Sequence, residues 1–186
     1  MTKEQFEDAH KVKLWKKTVQ EAGCGIEDLK PINSITKSNG ELLFALAETQ
    51  VTAGRRLMPY LLIRGHACVV VPQVMQRSSG EKKFIMVRQR RIGNGHSSLE
   101  FPAGMLDSSN DPVQVAEREF QEETGLEFEK GSLFPLHSGP LFSSPGLYDE
   151  GIFSLGCHLE LEDKPYRKLE NRYTGNQDFR LLYWKP

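Results

Sequence analysis

Three carboxylates, Glu119, Glu122 and Glu123, crowd one short stretch of this chain, within about one and a half helical turns. Residues three and four apart are neighbours on a helix surface, so Glu122 and Glu123 each stand one turn from Glu119, and like charges at that spacing repel. Placed in the C-terminal half of a helix, they also oppose the negative end of its dipole. A positive partner is therefore expected nearby. Arg118, i, i+4 from Glu122, supplies one guanidinium for three carboxylates. A solvated acidic face is the simplest reading of such a cluster. A divalent cation is the sharper one, because Mg²⁺ takes oxygen ligands and fills its remaining positions with water or phosphate oxygens.

The stretch carries its own helix signals. Asp111 and Pro112 suit the cap and the first helical position, Gln114 completes a capping-box spacing, and Gly125 offers the left-handed stop. The spacing predicts a helix over 112–124, with Val113, Ala116 and Phe120 as its core-facing stripe.

From Gly104, the run "GMLDSSNDPVQVAEREFQEETGL" resembles the signature of the Nudix hydrolases, G-x5-E-x7-R-E-U-x-E-E-x-G-U, where U is a bulky apolar residue. It departs at one fixed position, where Asn110 stands in place of the first Glu; a polar side chain near the helix start is kept there. The resemblance implies that Glu119, Glu122 and Glu123 bind Mg²⁺ or Mn²⁺, that the Ala103 carbonyl adds a ligand, and that Arg118 orients the glutamates.

The flanks narrow the branch. "LEFPAG", residues 99–104, resembles the lead-in of the ADP-ribose and ADP-sugar pyrophosphatases, and "VRQRR", residues 87–91, resembles their strand end, where an arginine reaches substrate phosphate. That implies Arg91 rather than Arg88 or Arg90, with Glu100 and Gly104 in the same substrate-binding set. "SSPGLYDEGIF" resembles the S-P-G-x-x-x-E loop of that branch, adding Ser144, Pro145 and Gly146 to the set and making Glu150 the general base, with Asp149 the alternative. Such a loop is expected to close over bound substrate. Glu150, Glu122 and Arg118 form the implied catalytic set.

The implied activity is hydrolysis of an ADP-sugar, ADP-ribose or ADP-glucose, to AMP and a sugar phosphate. The alternatives are another nucleoside diphosphate, such as a dinucleotide or coenzyme A, or a weakly catalytic module that binds ADP-ribose. "FEDAHKVKLWKKTV" and "MPYLLIRGHACVVV" resemble plant-type ADP-sugar diphosphatases, whose N-terminal appendage builds a homodimer. Trp15 and Tyr60 are candidates to stack on adenine, though a core position is the simpler reading of each.

The elements that must position these groups are legible as patterns. Phe6, Val12, Leu14, Trp15 and Val19 recur at helical spacing and predict a helix over 3–22. Ser38-Asn39-Gly40 lies between two β-rich runs and predicts a hairpin. "YLLIRGHACVVVPQVMQ" and "KKFIMVRQRR", joined by "RSSGE", read as a long core hairpin, followed by a short strand in "SSLEFPAG". "GSLFPLHSG", "EGIFSLGCHLELE" and "DFRLLYWKP" read as later strands. Strands before and after one helix, without βαβ alternation, predict an α+β fold, and the resemblance implies an α/β/α sandwich with a mixed sheet. The expected division is an appendage over 1–58 and a main domain over 59–186.

Composition bounds the rest. The 186 residues carry 24 basic and 25 acidic side chains, a balance that points to neither nucleic acid nor an anionic membrane as partner. Cys24, Cys68 and Cys157 are far apart and lack metal-site spacing, so they read as reduced thiols. No run approaches the roughly 20 apolar residues of a membrane span. A cytoplasmic protein is expected; an organelle is the alternative if a transit peptide was removed.

Overall fold

The structure is a computed structural model that describes residues 2–107, 111–127, 129, 131–169 and, for their backbone, 180–184. It divides into two compact units: residues 1–67, 105–110 and 140–152 form the first, and 68–104, 111–139 and 153–186 the second.

The first unit opens with two helices where one was expected, α1 (Lys3–Asp8) and α2 (His10–Glu21). Ala9 breaks them, with ψ of 135°. Phe6 and Val12 are six residues apart, which on a straight helix sets them about 120° apart. The break lets both be fully buried. Thr2 caps α1 in a reciprocal box with Gln5. The predicted hairpin then forms: β1 (Gly25–Thr36) and β2 (Leu42–Thr52) pair antiparallel across the Lys37–Glu41 turn, where Gly40 takes a φ of +85°. β3 (Tyr60–Ile63) adds to β2, completing a three-stranded sheet. Leu29, Leu42, Ala45, Ala47, Val51, Leu61 and Ile63 face inward from it onto Phe6, Val12 and Trp15.

The second unit is built on a larger sheet. β4 (Ala67–Gln76) and β5 (Lys82–Arg90) form the predicted core hairpin. β4 alternates strictly, burying Cys68, Val70, Pro72 and Val74, while β5 buries Ile85 and Val87. The run "SSLEFPAG" makes two short strands, β6 (Ser97–Glu100) and β7 (Ala103–Met105), because Pro102 interrupts it. Next come α3 (Pro112–Thr124), β8 (Phe134–Pro135), β9 (Leu141–Phe142), β10 (Gly151–Leu161), α4 (Asp163–Lys168) and β11 (Arg180–Trp184). The sheet order is β11-β5-β4-β10-β8, with β6 on β5 and β7 on β4; β9 pairs with Gly151 and Ile152, the first residues of β10, which with β9 belong to the first unit. The class is the α+β fold expected.

α3 occupies the predicted residues. Asp111 Oδ1 accepts from the Val113 N–H at 2.9 Å, and Gly125 ends the helix at φ +66°. One expectation fails: Val113 is 36% exposed, and the buried residues are Val115, Ala116, Phe120 and Thr124. Val113 sits in the first turn beside Pro112, Pro135 and His137, on an open depression. All three cysteines are free thiols. Among the described residues, no helix is long and apolar enough to cross a membrane.

Candidate active site

The wheel of α3 separates its carboxylates. Glu123 lies seven residues past Ala116, two turns along the stripe that buries Ala116 and Phe120. Glu119 flanks the stripe and is half-buried. Glu122 stands about 120° round from Ala116 and is exposed. Shared spacing thus yields three environments rather than one common face.

Glu123 has the unusual environment. Burial first, then the Glu119 charge, pushes its carboxyl up to about 7, against the pull of a backbone hydrogen bond from Ala103 and of the Arg91 charge. Its Oε2 is buried and makes no hydrogen bond. A carboxylate oxygen sequestered this way is costly unless something positive meets it. An oxygen-seeking divalent cation suits the deficit.

Gly104 explains how Glu119 reaches the same place. A Cβ on Gly104 would lie 2.5 Å from Glu119 Cδ and 2.8 Å from its Oε1, so only glycine lets the carboxylate lie flat on β7. Arg118 Nη2 pairs with Glu119 Oε1 at 2.8 Å. Below them, burial pushes the Cys68 thiol up to about 11, so it is an inert neighbour of Glu119 at neutral pH. Among the described residues, no three His, Cys, Asp or Glu side chains already converge as a metal cage. The donors that fit a hard cation are Glu119 and Glu123, with Glu122 beside them; Asn110 lies outside the described residues.

Arg91 follows β5, and its guanidinium grips Glu100 on β6: Nε lies 3.0 Å from both carboxylate oxygens, and Nη2 reaches Oε2. Ser98 Oγ donates to Glu100 Oε1 at 2.6 Å. Arg91 and Glu100, both expected in the substrate-binding set, are brought together and bond to each other.

The other expected residues belong to the first unit and form a cluster of their own. Ser144, Pro145 and Gly146 are exposed and open a turn closed by Leu147 and Tyr148 N–H groups on the Ser144 carbonyl, at 3.0 and 2.9 Å. Glu150 pairs with Arg64 at 3.2 Å, its side chain 15% exposed. Asp149 is only 8% exposed, and its carboxylate accepts the Arg64 N–H at 2.7 Å and the Gly65 N–H at 3.1 Å. Trp15 is buried, lining a small cavity with Leu61, His66 and Tyr148, whereas Tyr60 is 47% exposed.

Sequence patterns missed three relationships: the Arg91–Glu100 pair, the grip of Asp149 on residues 64–65, and the burial of Lys11. The Lys11 Nζ lies 2.8 Å from Asp107 Oδ1 and donates to the Leu43 carbonyl at 2.8 Å. Only for Glu123 was a signal present, since its seven-residue spacing from Ala116 puts it on the buried side.

Residues 66–163, more than half of the chain, match the model of the NUDIX domain. Over 155 residues the chain is 28% identical to Nudix hydrolase 14, chloroplastic, of Arabidopsis thaliana, covering 79% of this chain and 50% of that protein. It is 39% identical over 69 residues to the ADP-sugar pyrophosphatase of Mus musculus, 37% of this chain and 31% of that one. It is 37% identical over 70 residues to the ADP-ribose pyrophosphatase of Bacillus subtilis, 38% of this chain and 36% of that one. The chain thus spans half or less of the length of these relatives. Among solved structures, an ADP compounds hydrolase superposes with a TM-score of 0.55 at 17% identity, over 87% of this chain and 77% of that one, a likeness of fold.

Proposed function

The chain belongs to the Nudix family, and from that premise we propose that it hydrolyses the diphosphate of an ADP-sugar, ADP-ribose or ADP-glucose, to AMP and a sugar phosphate, with Mg²⁺ or Mn²⁺. The observation that carries the reading is Glu123, whose buried, unpartnered oxygen sits beside Glu119. The relatives' names support the ADP-sugar branch.

In this reading Glu119, Glu122, Glu123 and the Ala103 carbonyl hold the cation. Bound there, it would neutralise charge growing on the diphosphate and polarise water. Arg118 orients Glu119. Arg91, its plane set by Glu100, offers bidentate contact to phosphate, and Ser144, Pro145 and Gly146 with Gly104 shape the substrate's surroundings. Glu150 takes the proton from the attacking water, a task for which Asp149 is too occupied.

Release of AMP from ADP-ribose, ADP-glucose, NADH, diadenosine polyphosphates and coenzyme A, with each metal, tests it. Metal-dependent cleavage favouring the ADP-sugars is the expected result. Preference for coenzyme A or a dinucleotide would move the substrate, and binding of ADP-ribose without turnover would make the chain a binding module.

A homodimer belongs to the same proposal. Ile35, Phe44, Leu46 and Tyr60 lie exposed on the β1–β2–β3 sheet, with Ile35 paired to Phe44, forming an apolar face that a second copy would cover. Phe44→Asp should then give a monomer in sedimentation. The proposed compartment is the cytoplasm, or an organelle reached through a cleaved transit peptide.

A further inference from the structure

The segment bearing Glu150 is tied down on both sides of that residue. On the N-terminal side, the Asp149 carboxylate closes on two successive backbone N–H groups, with Oδ1 taking those of Arg64 and Gly65 and Oδ2 a second contact to Gly65 at 3.1 Å. Consecutive N–H groups beside a left-handed residue make an anion-binding concavity, and Gly65 has a φ of +81°. The chain fills that concavity with its own carboxylate. On the C-terminal side, the Gly151 N–H donates to His66 Nδ1 at 3.0 Å. That bond requires an unprotonated Nδ1, which places the ring proton on Nε2.

The contact is close-packed as well as polar. A Cβ on Gly151 would lie 2.7 Å from Pro140 Cβ and 3.0 Å from His66 Nδ1, so no larger residue fits there without displacing the ring. Phe142 meets the same imidazole edge to face, at 6.0 Å between centroids. The connection between β3 and β4, residues 64–66, thus holds residues 149 and 151. It also holds Glu150 through the Arg64 side chain. Leu62 donates to the Leu147 carbonyl at 2.8 Å and bridges Tyr148, extending the tie. From Leu147 onward the segment is bonded to β3 and to the residues that follow it.

We infer that Asp149 and His66 are positioning residues, which hold the backbone of Glu150 in place before any substrate arrives. The inference rests on the reading of Glu150 as the base. Burial lowers the His66 pKa, which keeps its acceptor available at neutral pH; the charged groups facing it are Asp149 and Glu150. Burial raises the Asp149 pKa, and the Arg64 and Gly65 N–H groups pull it back. Neither side chain needs to touch substrate for this task.

The test is a double-mutant cycle on the full chain with ADP-ribose and Mg²⁺, reading kcat and KM separately. Hydrogen exchange over residues 60–70 and 144–152 is measured on the substrate-free protein. Asp149→Asn should lower kcat by about ten- to a hundredfold, the scale set by a misplaced reacting group, with KM nearly unchanged. Added to Glu150→Gln, the same change should cost nothing more, since an absent base cannot be misplaced. His66→Asn, which keeps an acceptor near Nδ1, should retain most of kcat, whereas His66→Leu should fall like Asp149→Asn. Exchange at Gly65 and Gly151 should rise in the damaging variants while that of β4 stays unchanged.

An equal loss of kcat from Asp149→Asn in both backgrounds would overturn the inference and leave Glu150 as the base. Wild-type turnover by Glu150→Gln would instead overturn the base reading, and this inference with it. If no variant turns over ADP-ribose, unchanged protection at Gly151 in Asp149→Asn and His66→Leu overturns the positioning role by itself.

Discussion

The backbone of Gly104 and the carboxylate of Glu119 occupy adjoining space with no room for a methyl group between them. Gly104→Ala should push the Glu119 side chain off β7. The expected result is a loss of kcat of about a hundredfold, comparable to other small displacements of catalytic groups, with KM changed much less. Steady-state kinetics checks it. Circular dichroism should show an intact fold, because the clash falls on the Glu119 side chain, from Cγ outward, and not on backbone.

Glu123 makes stability depend on pH in a defined direction. Its carboxyl sits near 7 in the folded chain against 4.5 normally, so the native state holds this proton more tightly than the unfolded state. Its contribution is fully present below pH 4.5 and is lost as pH rises through 7. Metal-free protein should therefore melt lower at pH 8 than at pH 6. Glu123→Gln should flatten that slope and be more stable at pH 8, by about 1 kcal/mol after allowance for partial exposure. The same variant should lose most of the rise in melting temperature that Mg²⁺ or Mn²⁺ gives the parent. Scanning calorimetry at both pH values, with and without metal, measures each effect.

Arg91 and Glu100 separate a binding from a chemical effect. Removing the guanidinium with Arg91→Ala should raise the KM for ADP-ribose about tenfold or more, the worth of a charge-assisted phosphate contact. Glu100→Gln leaves the guanidinium but frees its orientation, and should raise KM by a smaller factor. Initial-rate kinetics on the two variants should place them in that order.

Lys11 tests the buried charge in the first unit. Its ammonium is buried against Asp107, which Lys37 also meets at 2.5 Å. Burial raises the Asp107 pKa, but the two lysines outweigh it and hold the carboxyl below its usual range. Its contribution is therefore present above pH 3.8 and lost as pH falls further. Lys11→Met keeps the stem that packs against Gly65 but leaves Asp107 with Lys37 alone. The expected cost is about 1–3 kcal/mol, below that of a fully orphaned buried charge, and urea unfolding at pH 7 measures it.

Core packing around α3 gives the plainest stability prediction. Phe120 is fully buried between Ala116 and Thr124. Phe120→Ala should cost about 3–5 kcal/mol, while Val113→Ala, at a largely open position, should cost under about 1 kcal/mol. Denaturant midpoints for the two variants should differ accordingly.

Much of this was written locally in the chain. Helix α3 follows from Asp111, Pro112 and Gly125, because capping and left-handed stops act within a few residues. The β1–β2 hairpin follows from Asn39-Gly40 for the same reason, and the carboxylate cluster is visible in its spacing. Tertiary packing decided the rest. Ala9 is an ordinary helix former, and only the need to bury Phe6 and Val12 together breaks the helix there. Val113 shares the stripe by periodicity, but the first turn of α3 is left open. The three glutamates look alike in the sequence, and they acquire different environments only when β7 and the α3 core desolvate Glu123 and leave Glu122 in water. Asp149 and Glu150 are adjacent carboxylates, and nothing local distinguishes a buried anchor from a candidate base. That distinction comes from Arg64, Gly65 and His66, more than eighty residues earlier, because burial and hydrogen-bond partners are properties of the folded neighbourhood rather than of the residue.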